Sequence, residues 1–219
     1  MKTAWIFGAT GATGQALVAQ AAQLQTFDEL VCINRRPLSN TTDSVTEILI
    51  PELSPESVQA LEGKPHTVFI CLGTTLAKAG SKAAFKRIDL DLICAVGEWC
   101  AAHQVEQVHL ISAVGANRSA MSFYSRIKGE TEDYFQALAL PKLAIYRPSL
   151  LTQAARNDER FGEKWAARFM ALFDWLPFMS GIRRVPVDTL ARAMIRADER
   201  GLSGTISSAQ IQQLGQLSD

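Results

Sequence analysis

A chain of 219 residues suits one domain of the larger kind, a size at which roughly 70% of the unfolded surface becomes buried. With 22 Lys plus Arg against 22 Asp plus Glu it has no overall field to draw it to phosphate backbones or anionic lipid, so nucleic acid is not an expected partner. Its four cysteines, Cys32, Cys71, Cys94 and Cys100, have neither metal-finger nor C-x-x-C spacing and read as reduced core residues, and no metal is expected. The start shows no signal-type apolar region and no uncharged run reaches membrane-spanning length, so the expected protein is soluble and cytoplasmic, without integral membrane association.

The first apolar run, Ala4-Trp5-Ile6-Phe7, ends in Gly8-Ala9-Thr10-Gly11-Ala12-Thr13-Gly14 and opens onto Gln15 to Ala22, whose Ala, Leu and Gln content favours helix. Strand, glycine turn and helix in that order make a dinucleotide site. Glycine lets the backbone turn sharply and lets a pyrophosphate approach it, and the free N–H groups and positive end of the helix hold that anion. Three glycines in seven residues also suit an ordinary strand-to-helix turn; the place of the motif, after the first strand, favours the nucleotide reading.

Leu30 to Ile33 reads as a second buried strand ending at Asn34-Arg35-Arg36-Pro37. An acid at the end of this strand would bind the 2′-hydroxyl of NAD, whereas Arg accommodates the 2′-phosphate of NADP, so Arg35 and Arg36 point to NADP(H) over a merely solvated pair. Val45 to Ile50 gives a third strand and Pro55 to Leu61 a short helix or irregular crossover. Thr67 to Leu72 has no polar alternation, as expected of a strand covered on both faces, and its end at Gly73-Thr74-Thr75 would line the cofactor. Lys78, Lys82, Lys86 and Arg87 follow on a helix-like stretch reaching about His103, most of them on a solvated face.

Val108 to Ile111 is the fifth strand, with His109 structural, and it ends at Ser112-Ala113. A helix from about Phe123 to Leu138 carries Tyr124 and Lys128, and Leu143 to Tyr146 is the sixth strand, halted by Arg147-Pro148. The βα alternation with right-handed crossovers specifies an α/β fold, a Rossmann-like doubly wound parallel sheet with helices on both faces. Residues from about 150 to 183 form an apolar cap or lid segment within the single domain 1–219. In it, Trp165, Phe169, Phe173 and Trp175 suggest a small apolar carbonyl substrate, or else cover the sheet or make a homodimer contact. A helix from about Thr189 to Arg200 and a short strand at Gly204 to Ser207 complete the chain.

The glycine turn, Ser112 and the Tyr-x-x-x-Lys at 124 to 128 together resemble the short-chain dehydrogenase/reductase superfamily. Asn34-Arg35-Arg36, the Cys71-to-Gly80 run CLGTTLAKAG, Lys128-Gly129-Glu130 and Arg147-Pro148 resemble more closely the atypical subgroup that contains the human Tat-interactive oxidoreductase. The resemblance implies Tyr124 as acid/base, Lys128 as its support and Ser112 as the group orienting a carbonyl. It also implies cofactor contacts from Gly8, Thr10, Gly11, Ala12, Thr13, Gly14, Arg35, Arg36, Leu72, Gly73, Thr74, Tyr124, Lys128, Leu151 and Arg160. The chain departs from the pattern at Pro51-Glu52, where relatives place an acid near adenine, and at Ala113-Val114, which stand where the human relative has Ser and Lys.

The chemistry also follows from the residues. A spacing of four puts Tyr124 and Lys128 on one helix face, where an ammonium favours the phenolate and is expected to lower the phenol from its ordinary value near 10. Ser112 can donate to the same substrate oxygen. The expected activity is NADP(H)-dependent hydride transfer between nicotinamide and a carbonyl or alcohol. The alternatives are an NADPH-binding regulator or sensor without turnover and, disfavoured by the short stretch after Lys128, a sugar-nucleotide epimerase or dehydratase.

Overall fold

The structure is a computed structural model and describes residues 1–39, 44–152 and 184–216. The elements run β1 (Thr3–Phe7), α1 (Ala12–Leu24), β2 (Glu29–Asn34), β3 (Val45–Leu49), α2 (Pro55–Gln59), β4 (Thr67–Ile70), α3 (Leu76–Ala79) and α4 (Lys82–Lys86). A wide π-helical turn (Arg87–Leu92) leads into α5 (Ile93–Ala102), β5 (Gln107–Ile111), α6 (Phe123–Ala137), β6 (Lys142–Arg147) and β7 (Leu151–Thr152). The chain closes with β8 (Val185–Pro186), α7 (Val187–Glu199), β9 (Gly204–Ser207) and α8 (Ser208–Gln216). The expected cap, with Arg160, Trp165, Phe169, Phe173 and Trp175, falls outside the described residues apart from its first three positions.

Seven strands make one sheet in the order β3-β2-β1-β4-β5-β6-β9, and every neighbouring pair is parallel. This is the Rossmann-like α/β fold that the βα alternation specifies. The order reverses between β1 and β4, and in such sheets the ligand crevice lies outside the carboxyl ends of the strands at that reversal. The glycine turn after β1 and the Gly73 turn after β4 therefore stand side by side, tied by the Cys71 N–H donating to the Phe7 carbonyl at 2.9 Å.

Both sheet faces are buried, which explains why β1, β2 and β4 are almost continuously apolar. On one face Ala4, Ile6, Leu30, Cys32, Phe69 and Tyr146 pack with residues of α1, α7 and α8. On the other, Trp5, Phe7, Val31, Ile33, Val68 and Ile70 pack with α2, α5 and Phe135 of α6. Trp5 stacks on Trp99 with ring centroids 4.8 Å apart, and the Trp99 indole N–H donates to the Leu61 carbonyl at 3.0 Å.

The long helix-like stretch from Lys78 to His103 is broken in the structure. Gly80, with φ +77°, ends α3 in the left-handed conformation, and the Ser81 hydroxyl caps the start of α4 by accepting from the Ala84 N–H. Local capping overrides the continuous periodicity. The small parallel pair β7–β8 and the helix α8 were not expected from the sequence. Lys78, Lys82, Lys86 and Arg87 are all exposed.

Candidate functional site

The glycine turn is built by close approach. Gly8 has φ +84°, and a Cβ on Gly14 would stand 2.3 Å from the Gly8 carbonyl oxygen, so only a bare α-carbon fits beneath the turn. The Gly11 N–H donates to the Gly8 carbonyl at 3.0 Å, and Gly11 caps α1, so Ala12, Thr13 and Gly14 occupy the first turn with Thr10 just before it. Thr10 and Gly11 are exposed while Thr13 and Gly14 are buried. The result is a cradle of backbone at a helix N-terminus, the arrangement a pyrophosphate needs. These residues fit a dinucleotide.

Arg35 and Arg36 leave the end of β2 and are exposed, free to face a group lying over the carboxyl ends. Behind them, Asn34 Nδ2 and the Leu38 N–H both donate to Glu47 Oε2, at 3.3 and 2.9 Å, holding the strand end in place. The Lys78 ammonium is pushed down by partial burial and by the Arg36 charge, so Lys78 belongs to the same cationic neighbourhood. That proximity is hidden in sequence because Lys78 lies 42 positions beyond Arg36.

Ser112 ends β5 through a 2.8 Å bond from its N–H to the Tyr146 carbonyl. The residue is buried, and its hydroxyl has no hydrogen-bond partner among the described residues. Such a hydroxyl costs free energy unless something occupies it. The loop that follows lies on α6: the Asn117 N–H donates to the Ser125 carbonyl at 3.0 Å, and a Cβ on Gly129 would stand 2.2 Å from Arg118 N. This close seat lays the loop that follows Ser112 against the first half of α6, the helix that carries Tyr124. The Tyr124 ring is half-buried, with the Phe85 ring 5.9 Å away.

Lys128 is buried beneath the Gly73 turn. Its Nζ lies 2.8 Å from Asp89 Oδ1, and the other oxygen of Asp89 accepts from the Thr74 N–H at 2.8 Å. One turn further on, Glu132 is engaged by Arg147 in a bidentate pair, with the Arg147 Nε at 3.0 and 3.1 Å from the two carboxylate oxygens. Asp89 and Glu132 were not singled out from sequence; a helical acid carries no mark of its partner until the fold supplies one.

The electrostatics correct one expectation. Burial pushes the Tyr124 phenol up, the Lys128 charge pulls it down and the Asp89 charge pushes it up again, and the net direction is upward rather than downward. Lys128 itself is pushed down by burial but held above its ordinary value by Asp89 and the groups around it. The ammonium thus acts on both Asp89 and Tyr124.

Of the other expected contacts, Leu72 and Thr74 are half-buried and Gly73 exposed at the end of β4, all beside the glycine turn. Leu151 is half-buried in β7 and packs against the α1 and α7 side of the core. Arg160 lies outside the described residues. His109 is structural as expected, fully buried with Nδ1 2.9 Å from the Tyr146 hydroxyl and Nε2 3.4 Å from Asp198 Oδ1.

A parallel sheet in this order, with a glycine turn at its reversal and a Tyr-x-x-x-Lys helix following β5, defines a Rossmann-like fold of the dinucleotide-binding kind. No family model matches the chain. It is 34% identical over 201 residues to Protein HTATIP2 of Rattus norvegicus, covering 89% of this chain and 80% of that one. It is 28% identical over 208 residues to Protein FMP52, mitochondrial, of Lodderomyces elongisporus, covering 91% and 87%. The chain belongs to the family of HTATIP2 and FMP52 proteins.

Among solved structures, the Bordetella bronchiseptica enzyme WbmH in complex with NAD+ superposes with a TM-score of 0.71 at 16% identity, covering 94% of this chain and 75% of that one. A UDP-glucose 4-epimerase from Thermotoga maritima with UDP-glucose superposes with a TM-score of 0.70 at 14% identity, covering 97% and 81%. These likenesses show the fold.

The cytoplasmic expectation is corrected by the relatives: FMP52 proteins of Lodderomyces elongisporus, Debaryomyces hansenii and Eremothecium gossypii are named mitochondrial. The cysteines on which that expectation leaned report burial rather than compartment. Desolvation pushes the thiols of Cys32, Cys71 and Cys94 up to about 12, which leaves them inert wherever the protein resides. Among the described residues no helix is long and apolar enough to cross a membrane.

Proposed function

We propose that this protein is an NADP(H)-dependent oxidoreductase that interconverts a carbonyl compound and its alcohol, with Tyr124, Lys128 and Ser112 as its working side chains. The observation that carries the reading is the buried Ser112 hydroxyl, left without a partner where β5 meets the loop seated on α6. A substrate carbonyl oxygen is the acceptor that would satisfy it. The glycine cradle supports a dinucleotide, and Arg35 and Arg36, in place of an acid, support the phosphorylated form.

When bound, the nicotinamide supplies the hydride to the carbonyl carbon or takes it back. The protein's own groups handle the oxygen. In reduction the Tyr124 hydroxyl gives its proton to the carbonyl oxygen as the C=O double bond becomes a C–O single bond, and Ser112 donates a hydrogen bond to that oxygen while its charge develops. The Lys128 ammonium stabilises the phenolate left behind, and a solvent proton then restores the phenol. In oxidation the same steps run backwards, with Tyr124 taking the hydroxyl proton.

The sugar-nucleotide reading has only the fold in its favour, because the neighbours that carry such ligands share less than a fifth of their sequence with this chain. A panel of aldehydes, ketones and quinones assayed by NADPH oxidation tests the proposal. The parent protein should turn over at least one member, and Tyr124→Phe, which keeps the ring, should bind NADPH normally and be slower by roughly 10²–10⁴-fold. Tight NADPH binding with no turnover across a broad panel would replace the enzyme reading with that of a sensor.

A further inference from the structure

We infer that Asp89 is a positioning residue of this site: its carboxylate ties Lys128 to the Gly73 turn and sets how much of the Lys128 charge reaches Tyr124. The inference rests on the oxidoreductase reading for its consequence in turnover, and on geometry alone for its basis. Asp89 sits in the π-helical turn Arg87–Leu92, and a widened turn inside a helical stretch is an unusual conformation that concentrates at functional sites.

Asp89 is fully buried and bonded on three sides. Oδ1 meets Lys128 Nζ at 2.8 Å, Oδ2 accepts from the Thr74 N–H at 2.8 Å, and the main-chain carbonyl accepts from Thr131 Oγ1 at 2.9 Å. It thereby joins α6 to the turn that follows β4. A Cβ on Gly73 would stand 3.5 Å from Asp89 Oδ1 and 4.0 Å from Lys128 Nζ, so the ion pair lies directly under the exposed backbone of that turn. A buried pair placed only for stability would have no need of this location, since such pairs are often no better than an apolar substitute.

Among the described residues the charged groups facing the pair are few. Asp89 comes from the π turn; Tyr124, Lys128 and Glu132 come from α6, and Arg147 of β6 occupies Glu132. With Glu132 so engaged, Asp89 is the carboxylate positioned to offset the ammonium. Burial pushes the Tyr124 phenol up, the Lys128 charge draws it toward phenolate and the Asp89 carboxylate offsets that pull, so Tyr124 stays a phenol through neutral pH. A phenol is the proton donor that carbonyl reduction needs, so Asp89 biases the site toward reduction.

The test is a titration of the ligand-free protein, which requires neither cofactor nor substrate and so stands or falls separately from the oxidoreductase reading. Tyrosine labelled at Cζ gives three resonances, one per tyrosine, and Tyr124→Phe assigns the one in question. Asp89→Asn keeps an acceptor for the Thr74 N–H and removes the charge. The Tyr124 midpoint should move to lower pH by about one unit or more, as expected for loss of a charge acting at close range. In active enzyme the basic limb of kcat/KM for reduction should move the same way, which a merely structural role would not produce. An unchanged Tyr124 midpoint in folded Asp89→Asn overturns the inference. The unmodified protein supplies a second measurement free of folding risk: Lys128, followed at Cε, should stay protonated above the ordinary value of about 10.4. Deprotonation at or below that value overturns it as well.

Discussion

The carbonyl oxygen of Gly8 occupies the space into which a Cβ on Gly14 would project, at 2.3 Å. The two ends of the glycine turn are thus pressed together at the first turn of α1, and the backbone N–H groups of that turn stay aimed at the carboxyl-end crevice. The contact is with backbone, which cannot step aside as a flexible side chain can.

Gly14→Ala should therefore act on both binding and stability. The turn must open to admit the methyl group, which misaligns the anion cradle and costs on the order of 1–3 kcal/mol. We expect at least a tenfold weaker Kd for NADPH by calorimetry. The melting temperature should fall by about 2–4 °C for each kcal/mol lost in a chain of this size. Unchanged affinity would show that no phosphate lies on the turn.

Arg35 and Arg36 should set the choice of cofactor. Each charge-assisted hydrogen bond contributes about 1.5–3 kcal/mol, or roughly one to two decades in affinity, so the parent should prefer NADPH to NADH by a wide margin. The double alanine variant should lose most of that preference through weaker NADPH binding while its affinity for NADH stays near the parent's. Lys78→Ala should erode the preference by a smaller step, because the Lys78 ammonium lies close enough to Arg36 to feel its charge. Equal affinities for the two nucleotides in the parent would remove the basis for all three assignments.

What could be read from sequence was whatever is encoded locally. Strands β1, β2 and β4 show as apolar runs because both faces of the sheet are covered there, and the Gly8-to-Gly14 turn is visible because its geometry demands particular residues at adjacent positions. Tyr124 and Lys128 are legible for the same reason, lying one helical turn apart. Asp89 was not, since its partners Thr74 and Lys128 are distant in the chain and nothing in RIDLDL distinguishes Asp89 from Asp91 before the fold buries one of them. The direction of the Tyr124 shift was misjudged because the lysine was visible in sequence, whereas the burial that pushes the phenol up and the Asp89 charge that adds to it arise only in the fold. The strands β7 and β8 are two residues each, too short for any periodicity. Helix α8 was legible in principle, through Ile211 and Leu214 at helical spacing, both buried in the core.

The last prediction concerns acid stability and the cluster at the far end of the sheet from the nucleotide cradle. Burial pushes the Asp198 carboxyl up, but His109, Lys2 and Thr67 outweigh it and hold the group at about 2. Thr67 Oγ1 donates to Asp198 Oδ1 at 2.7 Å, and Lys2 Nζ lies 2.7 Å from Oδ2. Because the folded value lies below the unfolded one near 3.9, Asp198 contributes stability above about pH 4 and loses it as the pH falls toward 2, an effect of about 2 kcal/mol. Burial also holds His109 below its ordinary value, with Asp198 opposing and Lys2 assisting. The unfolded chain therefore takes up a proton below about pH 6.5 that the folded one resists, and stability declines there too. Urea midpoints measured from pH 8 to pH 3 should fall in two stages, the first beginning near pH 6.5 and the second below about pH 4. His109→Gln should remove the first stage and shrink the second, because His109 is one of the groups that hold Asp198 low. Asp198→Asn should remove the second while lowering stability at pH 7 by about 3–5 kcal/mol, since Lys2 loses its carboxylate and the buried end of the cluster loses its anion. A parent protein equally stable at pH 7 and pH 5 would show that His109 titrates in the folded state as it does in the unfolded chain.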